Sequence, residues 1–287
     1  MKPSPFAYSA PTSLAEALAV LAEAGADGKV LAGGQSLLPI LNMRLAAPGH
    51  IIDINRIRDL AFVRVEDGGV RIGALARHAD VERDEPAHDV LPLLRQALRL
   101  VAHPVIRNRG TTVGSLAHAD PSGEMTAVLG LTGGTVEVAR QGSTRTVDAS
   151  EFFVAPLESA VEPGEMAVSA HFPAPPPHTG TAFVEVARRH GDYAVCGLAA
   201  MVTLQQDGAI GLARAAYISV GPTPIVLDLS EALHGQLPDQ ADWTAAGRLA
   251  QDQVDPEPDI HASAYYRRHL VGVLTGRALR EAAGRAV

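Results

Sequence analysis

The amino-acid sequence predicts an α+β protein in two parts. Helix-period and strand-period segments interleave around Gly-rich breaks as far as Phe172. The run Pro173-Ala174-Pro175-Pro176-Pro177 can continue neither helix nor sheet. Beyond it, three strand-like segments are followed by helical ones, which suits a three-stranded antiparallel sheet backed by helices. The expected boundaries are 1–175 and 178–287.

Ser13-Leu14-Ala15-Glu16 is a capping box, and Leu14, Ala17, Leu18, Leu21 and Ala22 continue it at helical spacing to Gly25. Val30-Leu31-Ala32 and Ile51-Ile52-Asp53-Ile54 read as buried strands, with a short helix or turn over Leu37–Leu45. Asp67-Gly68-Gly69 joins Phe62–Glu66 to Val70–Ala74 as a hairpin. Leu91–Val101 carries Leu91, Leu94, Leu98 and Val101 on one helical face. Ile106–Ser115 has no period and reads as a connecting loop. Asp120-Pro121 has the form of an N-cap with proline at the first helical position, opening a helix to about Leu131. Thr135–Ala139 and Thr144–Val147 form a second hairpin, and Met166–Phe172 is a strand. After the prolines, Ala182–Arg188, Val195–Gln205 and Gly211–Val220 read as strands. Leu227–Leu233, Asp242–Gln253 and Ala262–Arg280 read as helices.

The 287 residues suit two domains, at roughly 100–200 residues each. A hydrophobic fraction of 47% supplies a core. The balance of 24 Lys+Arg against 32 Asp+Glu, a net charge of -8, argues against nucleic-acid binding, which needs a basic surface. One cysteine, Cys196, excludes an internal disulfide and an iron–sulfur cluster held by this chain. Lys2 and Lys29 leave few carriers for Schiff-base chemistry. Neither a signal peptide nor a membrane-spanning run is expected, so the location expected is cytoplasmic.

Two segments are candidates for ligand contact. In Ala32-Gly33-Gly34-Gln35-Ser36, paired glycines after a strand can aim several amides at one spot, a nest suited to a diphosphate. An ordinary strand-to-helix turn accounts for the same residues. Arg109-Gly110-Thr111-Thr112-Val113-Gly114-Ser115 offers amides and hydroxyls that can grip the other side, or simply connects two elements. A side chain at Gly33 or Gly114 is expected to fill the ligand's space. His118, near Asp120, can meet a cofactor or hydrogen-bond its own loop, and His103 lies 15 residues before it. Arg188-Arg189-His190-Gly191-Asp192-Tyr193-Ala194 either sets Tyr193 against a flat ring or is a charged turn. The fingerprints of Rossmann domains, P-loops, α/β-hydrolases and zinc peptidases are missing.

Three blocks together resemble the flavin-binding medium subunit of the molybdenum hydroxylases, the xanthine dehydrogenase and aerobic carbon monoxide dehydrogenase type. They are Ala32-Gly33-Gly34-Gln35-Ser36-Leu37-Leu38-Pro39, Ile106–Pro121 and Arg188–Ala194. Asp53-Ile54-Asn55, Ile72-Gly73-Ala74 and Pro163-Gly164-Glu165 add lesser matches, and the likeness spans nearly the whole chain. The sequence departs from the family where Gln35 stands for a frequent His, and where Thr112-Val113-Gly114 keeps one glycine of two. Ser122-Gly123-Glu124 also replaces a commoner Ala-Ala-acid.

The resemblance implies a two-lobed FAD-binding domain of vanillyl-alcohol oxidase (PCMH) type, with lobes at about 1–55 and 56–175. A CO dehydrogenase flavoprotein-like C-terminal domain would follow at 178–287. It implies that Ala32, Gly33, Gly34, Gln35, Ser36 and Leu37 wrap the FAD diphosphate from one side, and Thr111, Thr112, Gly114 and Ser115 from the other. Glu124 would lie near the ribose, with His118 and Asp120 facing the cofactor. Val161 would offer its amide to the flavin ring, and Tyr193 would lie over it. No metal site is implied in this chain. The implied role is electron relay, from the iron–sulfur clusters of a small partner subunit and the molybdenum centre of a large one, through FAD, to NAD or another acceptor. A stand-alone FAD-dependent oxidoreductase on the same fold, and a non-catalytic module without flavin, are the competing readings.

Overall fold

The computed structural model describes residues 2–286. Its first sheet is small and parallel. Strands β1 (Ala7–Ser9), β2 (Gly28–Leu31) and β3 (His50–Asp53) lie in the order β1-β3-β2. Helix α1 (Leu14–Ala24) crosses from β1 to β2 and buries Ala17, Leu18 and Leu21. Its cap differs slightly from a capping box. Ser13 accepts from the Glu16 amide, but the Glu16 carboxylate reaches back to the amide and hydroxyl of Thr12. Helix α2 (Leu37–Asn42) follows β2.

The second sheet starts with β4 (Val63–Glu66) and β5 (Gly69–Gly73), joined by Asp67 and Gly68, both at positive φ as a tight hairpin requires. The connection from β5 holds α3 (His78–Arg83), α4 (Glu85–Val90), α5 (Pro92–Leu98), α6 (Pro104–Arg107), α7 (Thr112–His118) and α8 (Glu124–Thr132). The single helix expected over Leu91–Val101 is α5 alone. Leu91 precedes Pro92 and, at φ -140° and ψ 82°, lies outside the helical region that a following proline disfavours. The segment 106–115, expected to be a loop, is largely α6 and the start of α7. The helix expected from Asp120-Pro121 begins later, at Glu124, because Asp120 Oδ1 accepts from the Ser122 amide and holds a turn there.

Strands β6 (Thr135–Arg140) and β7 (Ser143–Asp148) form the second hairpin, followed by α9 (Ala149–Phe152). A two-stranded hairpin of β8 (Phe153–Ala155) and β9 (Glu158–Ser159) stands apart. Strand β10 (Met166–Pro173) then enters the middle of the second sheet, antiparallel to both β5 and β6, in the order β4-β5-β10-β6-β7.

The third sheet is antiparallel. It has four strands, not the expected three: β11 (Thr179–Ala187), β12 (Ala194–Leu204), β13 (Ile210–Ile218) and β14 (Ile225–Asp228). Part of the segment expected as the helix Leu227–Leu233 is the edge strand β14, paired with β13 from Tyr217–Ile225 to Arg214–Asp228. Only α10 (Ser230–Leu233) is helical there. Helices α11 (Trp243–Asp252) and α12 (Ala264–Ala283) cover one face of this sheet.

Both faces of β12 are buried. Ala199 and Met201 join the core of the second sheet, whereas Leu198, Ala200 and Val202 point into the core under α11 and α12. That explains why Val195–Val202 reads as an unbroken apolar run rather than an alternating one.

Candidate cofactor site

The first candidate segment leaves β2 and turns into α2 through Gly34 at φ +74°. Among the described residues, no protein group accepts from the amides of Gly33, Gly34, Gln35 or Ser36. Four successive unpaired amides beside a left-handed glycine form an anion-binding concavity. The Gln35 side chain folds back and donates to the Gly33 carbonyl at 3.3 Å. Leu37 opens α2, and Ser36 caps it without a side-chain bond, leaving the hydroxyl available.

Two residues hold this turn in place. Asn55, just after β3, donates through Nδ2 to the Ala32 carbonyl at 2.9 Å. Its Oδ1 accepts from Arg77 at 2.6 Å, and Arg77 also donates to the Arg109 carbonyl at 2.9 Å. Asp53 orients Asn55 and accepts from the Tyr8 hydroxyl at 2.7 Å. Sequence reasoning gave Asn55 only a minor place and did not single out Arg77. An isolated polar residue at a strand end carries no local sign of such distant partners.

The second segment packs directly on the first. A Cβ on Gly33 would lie 2.5 Å from the Arg109 carbonyl oxygen and 2.8 Å from Gly110 Cα. The space at Gly33 therefore belongs to the second segment, not to a ligand as expected. Gly114 has a similar reason to be glycine. Thr111 caps α7 by accepting from the Gly114 amide, and a Cβ on Gly114 would strike Thr111 Oγ1 at 2.4 Å. Thr112 is fully buried; its hydroxyl meets His78 Nδ1 at 3.2 Å and its amide donates to Ala76. Burial, reinforced by the Arg107 charge, pushes the His78 imidazole down to about 4, so it packs there neutral. Ser115 bonds by its amide to the Thr111 carbonyl.

His118 ends α7 half-buried, and burial lowers its pKa although Asp120 opposes the shift. Seven helical residues separate Thr111 from Ala119, about 10 Å of rise. The turn at Gly33 and the Asp120 corner thus lie at opposite ends of one short helix.

At the Asp120 end, Asp120, Ser122, Arg188 and Tyr193 line a cavity of about 410 Å³ with Asp259 and Arg267. Tyr193 as a whole residue is 65% exposed. Enclosure of its hydroxyl end, then the Asp120 and Glu124 carboxylates, push the phenol up to about 12. Glu124 opens α8, and burial beside Glu185 and Asp120 raises it to about 8. Burial raises Glu185 to about 7, and its Oε2 is enclosed without a hydrogen-bond partner.

Val161 follows the β8–β9 hairpin. That hairpin is tied to the end of α7, where the Ser159 hydroxyl donates to Ala117 O and the Leu157 amide to Ala119 O. Arg145, paired with buried Glu165, donates to Ala160 O, and Glu165 accepts from the Glu162 amide. Val161 is thus fixed from both sides.

The family profile described as "FAD binding domain in molybdopterin dehydrogenase" matches residues 4–175, more than half of the chain. The chain is an FAD-binding medium subunit of the molybdenum hydroxylase family. A second profile, "CO dehydrogenase flavoprotein C-terminal domain", matches residues 181–282 of this medium subunit. It is 40% identical over its whole length to the 6-hydroxypseudooxynicotine dehydrogenase complex subunit alpha of Paenarthrobacter nicotinovorans, covering 97% of that protein. A chain of the carbon monoxide dehydrogenase of Hydrogenophaga pseudoflava superposes on it with TM-score 0.93 and 35% identity, each chain covered completely. Quinoline 2-oxidoreductase from Pseudomonas putida 86 gives TM-score 0.94 and 34% identity, covering 100% of this chain and 99% of that one. The cofactor of this medium subunit is FAD, and the unpaired amides of residues 33–36 fit its diphosphate.

Proposed function

We propose that this chain is the electron-relay subunit of a molybdenum hydroxylase. It would stand between the iron–sulfur clusters of a small partner subunit, fed by a large molybdenum subunit, and NAD or another acceptor. The observation that carries this reading is the amide-lined turn at residues 33–36, pinned by Asn55 and packed on Arg109 to Thr111. FAD supplies the one- and two-electron chemistry when bound. The chain's own residues bind and orient. Ala32 to Leu37 take the diphosphate on one side, and Thr111, Thr112, Gly114 and Ser115 frame it on the other by building the first turn of α7. His118, Asp120 and Glu124 extend the contact toward the ribose side. The Val161 amide and the Tyr193 ring take the flavin.

Two features favour a subunit over a stand-alone enzyme. The single cysteine, Cys196, is buried in β12 and cannot hold a cluster, so any iron–sulfur cluster that feeds the flavin lies in another chain. Around α2, Leu38, Met43 and Leu45 leave apolar surface in water, Leu45 at 73% exposure, which suits cover by a partner. In this reading residues 1–175 form the FAD domain in two lobes, about 1–55 and 56–175, and 178–287 the C-terminal domain. Among the described residues no helix is long and apolar enough to cross a membrane, and the proposed location is cytoplasmic.

The test is the visible spectrum of the purified chain, followed by anaerobic NADH. Flavin bands that bleach support a relay to NAD. Flavin bands that ignore NADH point to another acceptor or to a stand-alone enzyme. A chain that takes up no FAD on reconstitution overturns the reading.

A further inference from the structure

We propose that His103 is a positioning residue for Tyr193, seating the tyrosine's loop on the segment that leads into the second cofactor loop. The proposal rests on the placement of Tyr193 over the flavin. Tyr193 ends the turn between β11 and β12, and Gly191 in that turn sits at φ +84° against the His103 imidazole. A Cβ on Gly191 would lie 2.5 Å from His103 Cε1, 2.7 Å from Nε2 and 2.9 Å from Nδ1. The His190 ring meets the His103 ring edge-on, with centroids 5.6 Å apart at 64°. The backbone at Gly191 therefore packs closely against the imidazole, and the His190 ring meets that imidazole edge-on.

The seat itself is firm. His103 is the N-cap of α6, and its carbonyl accepts from the Ile106 and Arg107 amides. Arg107 anchors the segment through Glu82 Oε2 at 2.8 Å and the Val101 carbonyl at 3.1 Å. From α6 the chain runs through Gly110, whose amide donates to Ile106 O at 2.7 Å, into the contact with Gly33. On the loop side, Asp192 gathers Arg189 at 3.2 Å and Arg188 at 3.6 Å, which stiffens the turn without fastening it to the rest of the protein. His103 fastens the turn at Gly191, while at the end of the loop the Tyr193 hydroxyl meets the Asp120 carboxylate. His103 joins the loop bearing Tyr193 to the same short stretch that frames the diphosphate. As an exposed residue, it can be replaced without opening the core.

The experiment compares His103→Ala, His103→Phe, Tyr193→Ala and the double alanine variant in the full chain. Bound-flavin fluorescence is measured after FAD loading, and amide hydrogen exchange over residues 188–193 before it. His103→Ala should raise flavin fluorescence as Tyr193→Ala does, add nothing in the Tyr193→Ala background, and speed exchange in the loop. His103→Phe, which keeps a ring under Gly191, should restore both. Unchanged exchange in His103→Ala, or a fluorescence change that adds to that of Tyr193→Ala, overturns the proposal. Faster exchange with no fluorescence response to Tyr193→Ala overturns the placement of Tyr193 on the flavin, and the positioning role falls with it. That pattern differs from failure of the His103 contact, in which exchange stays slow.

Discussion

Gly33 has no room for even one methyl group, and what it would strike is backbone that cannot swing aside. Gly33→Ala should push the two proposed cofactor loops apart, lowering both the melting temperature and the flavin-to-protein absorbance ratio. Full flavin content in this variant would show that the loops need no mutual contact. The paired glycines were legible in the sequence because Gly-Gly after a strand is a local signal. Asn55 and Arg77 were not, since each acts on a partner more than twenty residues away. Glu124 and Glu185 also became informative only once folding enclosed them. Both hold their protons up to about 8 and about 7, against an ordinary 4.5. The unfolded chain releases these protons near 4.5. The stability they contribute is therefore complete below that value and is lost as pH rises through 7 to 8. Glu185→Gln should flatten this decline. Urea unfolding from about pH 5 to about pH 8 checks it, and equal slopes for both proteins would contradict it.

Helix α7 is too short to persist alone, so its cap and its packing decide whether it forms. Thr111→Ala removes the acceptor of the Gly114 amide and should cost about 1 kcal/mol. Thr111→Ser should recover most of that loss, and denaturant unfolding of the pair measures it. The same shortness hid α7 from sequence reasoning. Val113 and Leu116 are its only large buried apolar residues, and two positions do not make a period. The edge strand β14 was hidden for a related reason. Four residues of alternating burial beside a short helix look helical until β13 offers its free edge. Elements with longer patterns, such as α1, the two hairpins and β10 to β13, lay close to their sequence positions.

Arg267 draws much of the C-terminal part together. It is 6% exposed and donates to the carbonyls of Val195 and Ser219 and to Asp259, each at 2.6 Å. Ser219 in turn reaches the flavin-binding part, its amide on Pro121 O and its hydroxyl on Ser122. Arg267→Met leaves two carbonyls unpaired, each worth roughly 1–3 kcal/mol, and should lower the melting temperature of the whole chain in one transition. A separate early transition confined to the C-terminal part would contradict that linkage. The proline run marked where the chain changes character, and the unbroken apolar run of β12 marked a strand buried on both faces, but nothing local named the two cores it lies between. This last feature bears on how the protein is made. While the ribosome is still supplying the final third, the finished N-terminal portion exposes a greasy flank that Phe183, Ala194, Ala199, Met201, Ala216 and Ile218 later cover. Maturation is thus timed by the arrival of β11 to β13, and a nascent chain stalled before them is a natural client for chaperones.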